Sequence, residues 1–206
     1  MKIAVLGTGM VGEAIASKLV ALGHDVMMGS RDAKNPKAIA WAKRAGAHAL
    51  AGTFADAAAF GELLFNCTQG ANSVDALRSA GEKRLAGKVL IDVANILPPA
   101  QRGPESLGEL IQKTFPQAKV VKALNTINSS LMVDASALPD SHTVFMSGND
   151  ADAKKRVREL LQAFGWKDII DLGDIGTARA TESYVSLWVG LWKALGTAQF
   201  NIKVVR

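Results

Sequence analysis

One cysteine, one tyrosine and three histidines stand in a chain of 206 residues, and each scarcity removes a class of chemistry. A lone Cys67 cannot close a disulfide within the chain, so it is expected as a buried small hydrophobe in a reducing, cytoplasmic setting. No His/Cys pair has the spacing of metal ligands, and no metal is expected. His24, His48 and His142 are scattered away from the expected strand tips, and Tyr184 is the sole tyrosine. The chain therefore has no Ser/His/Asp set for nucleophilic catalysis and no Lys/Tyr couple to protonate an alkoxide, which disfavours carbonyl reduction. Long apolar runs are missing too: the stretch 184–195 is short for a bilayer and carries Lys193. The N-terminal apolar run is only one strand long and lacks a cleavage pattern, so neither membrane nor export signals are expected. A net charge of +5 is dispersed among 19 acidic residues. The densest basic run, Lys154, Lys155, Arg156 and Arg158 with Glu159, reads as a solvated helix face, and no nucleic-acid partner follows.

Glycine, by contrast, is plentiful, with 19 residues, and its first cluster organises the rest. Residues 2–6, KIAVL, form a short apolar run rich in β-branched side chains; a helical apolar pattern follows from Met10 to Leu22, capped by Gly23. Between them Gly7, Gly9 and Gly12 match G-x-G-x-x-G in strand–turn–helix context. Gly7 permits the sharp turn, Gly9 lets the backbone approach a pyrophosphate, and Gly12 lets the helix pack on its strand. The free N–H groups at the helix start suit anions. A second strand, 24–28, ends at Gly29-Ser30-Arg31. An NAD site would place a carboxylate there; a hydroxyl and a guanidinium fit the 2′-phosphate of NADP instead. Asp32 lies 20 residues beyond Gly12, but is expected in the turn leading to the next helix rather than at the tip.

The pattern continues as alternating strands and helices. Pro36 opens a helix that Gly46 ends, and Thr53 is placed to cap a brief alanine-rich helix. Further strands are expected at 47–50, 61–67, 88–93 and 119–123, with helices over 72–80 and 106–115. Their tips carry Thr68 and Gln69, then Ala94 and Asn95 ahead of Pro98-Pro99, then Asn125, and all five are candidate cofactor contacts. A strand at 142–147, a helix at 150–164 and a strand at 167–171 follow. The expected fold is α/β: a Rossmann-type, doubly wound, mostly parallel sheet over residues 1–173, with a helical C-terminal segment over 174–206. A helix is expected over 177–200, with Tyr184, Leu187, Trp188, Leu191, Trp192 and Leu195 on one face, covered by the core, the crevice or a second subunit. Arg179 and Glu182 are expected as an exposed pair, with a structural cap as the other reading.

KIAVLGTGMVG, the tip GSR, VKALNTIN, SGNDADAKKRVRELLQAFGW and DLGDIGTARATE together resemble the F420-dependent NADP oxidoreductase family, and also the cytoplasmic domains of STEAP ferric reductases. The resemblance implies NADP(H) held by Gly7, Thr8, Gly9, Met10, Val11, Gly12, Ser30 and Arg31, with the nicotinamide near Ala94, Asn95 and Asn125. It implies a homodimer and a small-molecule electron acceptor, either the deazaflavin F420 or FMN/FAD. Deazaflavin reductases of this family place a histidine at the sixth-strand tip, where this chain has Asn125, which leans the acceptor toward a flavin.

Hydride transfer between two stacked rings needs a dry, well-aligned crevice and no strong acid or base. Asn125 is then the residue expected to orient nicotinamide or acceptor without proton transfer. The rival reading is a non-catalytic, NADPH-binding redox sensor.

Overall fold

A computed structural model describes residues 1–97 and 103–206; Pro98 and Pro99, expected to close the fifth-strand tip, lie outside the described residues. Strand β1 (Lys2–Leu6) is buried from Ile3 onward, and its alternate side chains feed two cores. Ile3 and Val5 join one cluster with Ile15, Leu19, Trp41 and Phe65. Ala4 and Leu6 join another with Phe54, Leu64, Leu77 and Ile111. A strand loaded on both faces needs helices on both, which is the condition of a parallel sheet.

The other strands are β2 (Asp25–Ser30), β3 (Ala49–Thr53), β4 (Leu63–Asn66), β5 (Val89–Asp92), β6 (Lys119–Ala123), β7 (Thr143–Gly148) and β8 (Asp168–Asp171). They form one sheet in the order β3-β2-β1-β4-β5-β6-β7-β8. β1 to β6 are parallel, β7 runs antiparallel to β6, and β8 runs parallel to β7. The chain leaves β1 on one side and returns to β4 on the other, so a topological switch falls between those strands. The register aligns Leu6 with Gly29 and Asn66, Asn66 with Asp92, and Asp92 with Lys122. One edge thus collects the tips of five strands, together with a row of three polar side chains.

Helix α1 (Met10–Ala21) follows the glycine turn, and Gly23 at φ 82 reverses the chain after it. Asn35 caps α2 (Pro36–Ala45), while Thr53 and Asp56 form a capping box on α3 (Phe54–Phe60). α4 (Ser73–Ala80) and α5 (Glu82–Leu85) precede β5; α6 (Leu107–Thr114) carries a Ser106–Glu109 capping box. α7 (Ser129–Met132) and α8 (Ala151–Ala163) are capped by Asn128 and Asp150.

The C-terminal helix expected over 177–200 is two helices, α9 (Ala178–Ser183) and α10 (Val185–Leu195), which meet at Tyr184. Gly196, at φ 67, ends α10, and the tail turns to serve β7: Thr143 N–H donates to the Ile202 carbonyl (2.9 Å) and Val204 N–H to Thr143 Oγ1 (2.9 Å). A left-handed glycine after the last apolar turn is the physical stop. No helix among the described residues is long and apolar enough to cross a membrane.

Candidate functional site

Two connected cavities of about 580 and 600 Å³ run along the aligned strand tips and share Gly9, Cys67, Thr68 and Gln69. The first is bounded by Gly7, Thr8, Ser30, Arg31 and Asp32. At its centre is the start of α1, which has Gly9 as N-cap and no side-chain cap, unlike α2, α3, α6 and α8. Its first N–H groups are left for an anion.

The three motif glycines differ in surroundings. Gly7 has φ +122, and a Cβ there would lie 2.6 Å from the Cys67 carbonyl oxygen. A Cβ on Gly12 would overlap the Gly7 carbonyl, so Gly12 serves helix packing and does not line either cavity. A Cβ on Gly9 would meet nothing within 4 Å. The open space above Gly9 and the uncapped helix fit a pyrophosphate.

At the β2 tip Ser30 is buried and donates its hydroxyl to the Asp32 carbonyl (2.6 Å), which shapes the turn into α2. Asp32 lies beyond the strand, and its carboxylate accepts from Lys34 N–H (2.9 Å). Arg31 is exposed beside the groove and makes no ion pair among the described residues. This constellation fits an NADP 2′-phosphate, because the guanidinium is open and the nearest carboxylate is turned into its own loop.

The second cavity is lined by Met10, Val11, Val93, Ala94, Asn95 and Asn125 on one side and by Val185, Trp188, Val189 and Trp192 of α10 on the other. Asn95 and Asn125 hold each other: Asn95 Nδ2 donates to the Asn125 carbonyl (2.6 Å), and Asn125 Nδ2 donates to Asn95 Oδ1 (3.1 Å). The residue before Asn125, Leu124, has φ 64, the one positive φ at a non-glycine residue among those described. A leucine in that conformation is strained, and the strain sits where the β6 tip turns Asn125 toward Asn95. Trp188 stacks on Phe200 with ring centroids 5.5 Å apart and leans on Trp192 at 5.8 Å. The buried N–H of Trp188 and the hydroxyl of Tyr184 have no partner among the described residues. Cys67 is half-buried, and burial, reinforced by Asp92, pushes its thiol far up, so it is a neutral group.

Beneath the tips lies a charge cluster that the sequence reading missed. The side chains of Lys122 and Asp92 are 0% exposed, and that of Glu182 is 2%. Lys122 Nζ contacts Asp92 Oδ2 (2.8 Å) and Glu182 Oε1 (2.9 Å), and donates to the Ala94 carbonyl. Asp92 Oδ1 accepts from Asn66 Nδ2 (2.8 Å) and Ala94 N–H (3.2 Å). Asn66 Oδ1 in turn accepts from the Thr68 hydroxyl (2.6 Å), which reaches the crevice. The signal was present: Lys122 and Asp92 interrupt the apolar strands VVKA and LIDV, and a charge in a doubly covered strand demands a partner.

The expected Arg179–Glu182 pair does not form. Glu182 is buried and caps α6, accepting from Leu107 N–H (2.8 Å) and Gly108 N–H (3.0 Å), while Arg179 pairs with Glu109 (3.1 Å). The cap alternative was the right one, on a helix 75 residues away. The apolar face of α10 is split: Val185 is buried, whereas Leu187, Trp192 and Leu195 stay about half-exposed.

Sheet order, switch-point crevice and glycine turn define a Rossmann-type, doubly wound α/β protein. Residues 2–96 match the family of coenzyme F420-dependent NADP oxidoreductases. A solved protein from Arthrobacter sp. FB24, described as a candidate F420-dependent NADP reductase, superposes with a TM-score of 0.94 at 50% identity over 100% of both chains. The chain belongs to this family of NADP-dependent oxidoreductases. The F420-dependent NADP reductase of Methanocaldococcus jannaschii is 27% identical over 96% of each protein. The metalloreductase STEAP3 of Rattus norvegicus is 30% identical over 93% of this chain, which spans 38% of that protein's length.

Proposed function

We propose that this chain binds NADP(H) across the strand tips and exchanges a hydride with a flavin-type ring, F420 or FMN/FAD, seated in the second cavity. Bound NADPH supplies a hydride and leaves as NADP⁺, and the acceptor ring takes the hydride with a proton from solvent. The observation that carries the reading is the lining of the second cavity. Among the described residues it is made of apolar groups, neutral amides, hydroxyls and the Cys67 thiol, with two tryptophans opposite the Asn95–Asn125 pair and no Asp, Glu, His, Lys, Arg or Tyr. Such walls align two rings and exclude water; they offer no proton to an alkoxide. The N–H of Trp188, which has no partner among the described residues, suits a carbonyl-bearing ring.

Each residue then has a task. The start of α1 with Thr8, Gly9, Met10 and Val11 holds the pyrophosphate, Ser30 and Arg31 define the 2′-phosphate site, and Thr68, Gln69, Ala94 and Asn95 line the path to the nicotinamide. Residues 1–173 bind the cofactor, and 174–206 roof the acceptor side. The half-exposed apolar face of α10 supports a homodimer, which light scattering in solution would test.

Arg31→Ala is expected to weaken NADP binding roughly tenfold to a hundredfold, since a charged hydrogen bond is worth about 1.5 to 3 kcal/mol. Calorimetry with NADP and NAD measures it; equal affinities in the parent protein would remove the 2′-phosphate assignment. Asn125→Ala should lower kcat/KM for the acceptor by roughly tenfold while changing the NADPH dissociation constant less, because Asn95 keeps its bond to the residue-125 carbonyl. The deciding experiment is NADPH oxidation by purified protein with F420, FMN, FAD, ferric chelate and a quinone offered in turn. Tight NADPH binding without turnover on any of them would leave the redox sensor as the function.

A further inference from the structure

We infer that Lys122 is a positioning residue: with Asp92 and Glu182 it ties the β5 tip, the β6 tip and the helix pair α9–α10 into one frame, and so sets the spacing between the Asn95–Asn125 shelf and the tryptophan wall. The inference rests on the proposed use of that crevice for two rings.

Each wall reaches the lysine by its own bond. β5 contributes Asp92, and its tip the Ala94 carbonyl; β6 contributes Lys122 itself, three residues before Asn125; α9 contributes Glu182, two residues before Tyr184, where α9 meets the α10 that carries the crevice residues. All three Nζ protons find acceptors, so the ammonium has one orientation. Ala94 is held from both sides, its carbonyl by Lys122 and its N–H by Asp92 Oδ1. The following residue is pinned as well, because Gly70 packs so closely that a Cβ there would overlap the Asn95 carbonyl.

Stability alone is a poor account of this arrangement. Two carboxylates and one ammonium fully withdrawn from water cost desolvation that apolar side chains of similar volume would avoid. The N-terminus of α6 also binds Glu182, through the Leu107 and Gly108 N–H groups. What the triad provides that a packed methionine cannot is a fixed direction for three backbone segments converging on the crevice. Hydride transfer is sensitive to that, since a displacement of about 1 Å between reacting groups can cost on the order of a hundredfold in rate.

Glu182→Gln tests the inference, because it removes the charge that binds α9 to Lys122 and replaces one acceptor oxygen with an NH2 donor facing the α6 N–H groups, while leaving the Lys122–Asp92 pair. Three readouts separate positioning from general damage. The affinity for 2′,5′-ADP, which probes only the adenine half, is expected to stay within about twofold of the parent. The nicotinamide fluorescence of bound NADPH should shift toward that of the free cofactor. With the best acceptor among F420, FMN and FAD, kcat should fall about tenfold to a hundredfold, and the isotope effect on kcat with 4-deuterated NADPH should rise. If Glu182→Gln fails to fold, Glu182→Ala, which lets water reach the α6 N-terminus, carries the same readouts. Unchanged fluorescence and kcat overturn the inference; so do equal losses of 2′,5′-ADP and NADPH binding, or failure of both variants to fold, each of which reduces the triad to a folding element. A parent protein that binds NADPH but turns over no acceptor defeats the proposed function instead, and the fluorescence readout still judges the frame.

Discussion

Gly9→Val is expected to abolish NADP(H) binding in a protein that folds as well as its parent. Both halves of that statement come from the surroundings of one residue. Gly9 has φ −84 and ψ −178, an extended conformation that valine adopts without strain, and a Cβ there meets no atom within 4 Å. The fold therefore tolerates the side chain. The space it fills is the space above the uncapped start of α1, where the pyrophosphate must approach. Displacing two charge-assisted phosphate contacts, at about 1.5 to 3 kcal/mol each, loses on the order of a thousandfold in affinity. Calorimetric titration with NADPH, paired with a thermal melt, checks both halves. Retained binding in the folded variant would move the phosphate site elsewhere. The neighbouring glycines make poor probes by comparison: Gly7 has a left-handed φ and Gly12 touches the Gly7 carbonyl, so changes at either would unfold the turn and blur the result.

Lys122→Met is expected to destabilise the protein by about 3 to 5 kcal/mol, the usual effect of removing one partner from a buried ionic group. Methionine restores much of the volume, yet Asp92 would remain out of water without the Lys122 ammonium, Glu182 would lose its bond to Lys122, and the Ala94 carbonyl would lose its donor. For a chain of this length the melting temperature should drop by roughly 6 to 20 °C. Urea denaturation at fixed pH measures the free energy directly. A change below about 1 kcal/mol would mean that the carboxylates are hydrated or charge-compensated in the folded state, and would remove the lysine from the role given to it above. Adding Asp92→Asn to Lys122→Met should recover part of the loss, because it removes the β5 carboxylate charge that Lys122 faced. That recovery separates an electrostatic penalty from a cavity.

The glycine turn, the parallel strands, the cap at Thr53, the helices that begin near Ser106 and Asp150, and Ser30-Arg31 at the second tip were all legible in the chain, because each depends on residues within a few positions of one another. Hydrophobic period, turn conformation and capping are local energies, and local energies leave local patterns. The partners of charged and amide groups did not follow from spacing. Arg179 and Glu182 stand three apart on one helix, yet they take Glu109 and Lys122 as partners, because α9 lies across α6 and the sheet edge rather than in solvent. Asn95 and Asn125 were read as separate contacts and are a mutual pair, brought together by the β5–β6 register. The long C-terminal helix broke at Tyr184, and its apolar face was divided between crevice and surface. By itself, then, the sequence determined a Rossmann-type sheet with a glycine turn at its strand tips and Ser30-Arg31 beside it. Only the tertiary structure decided how the second cavity is built, since its walls come from the β5 tip, the β6 tip and α10, far apart in the chain, and beneath them lies a buried ion cluster whose members must be desolvated together to find one another.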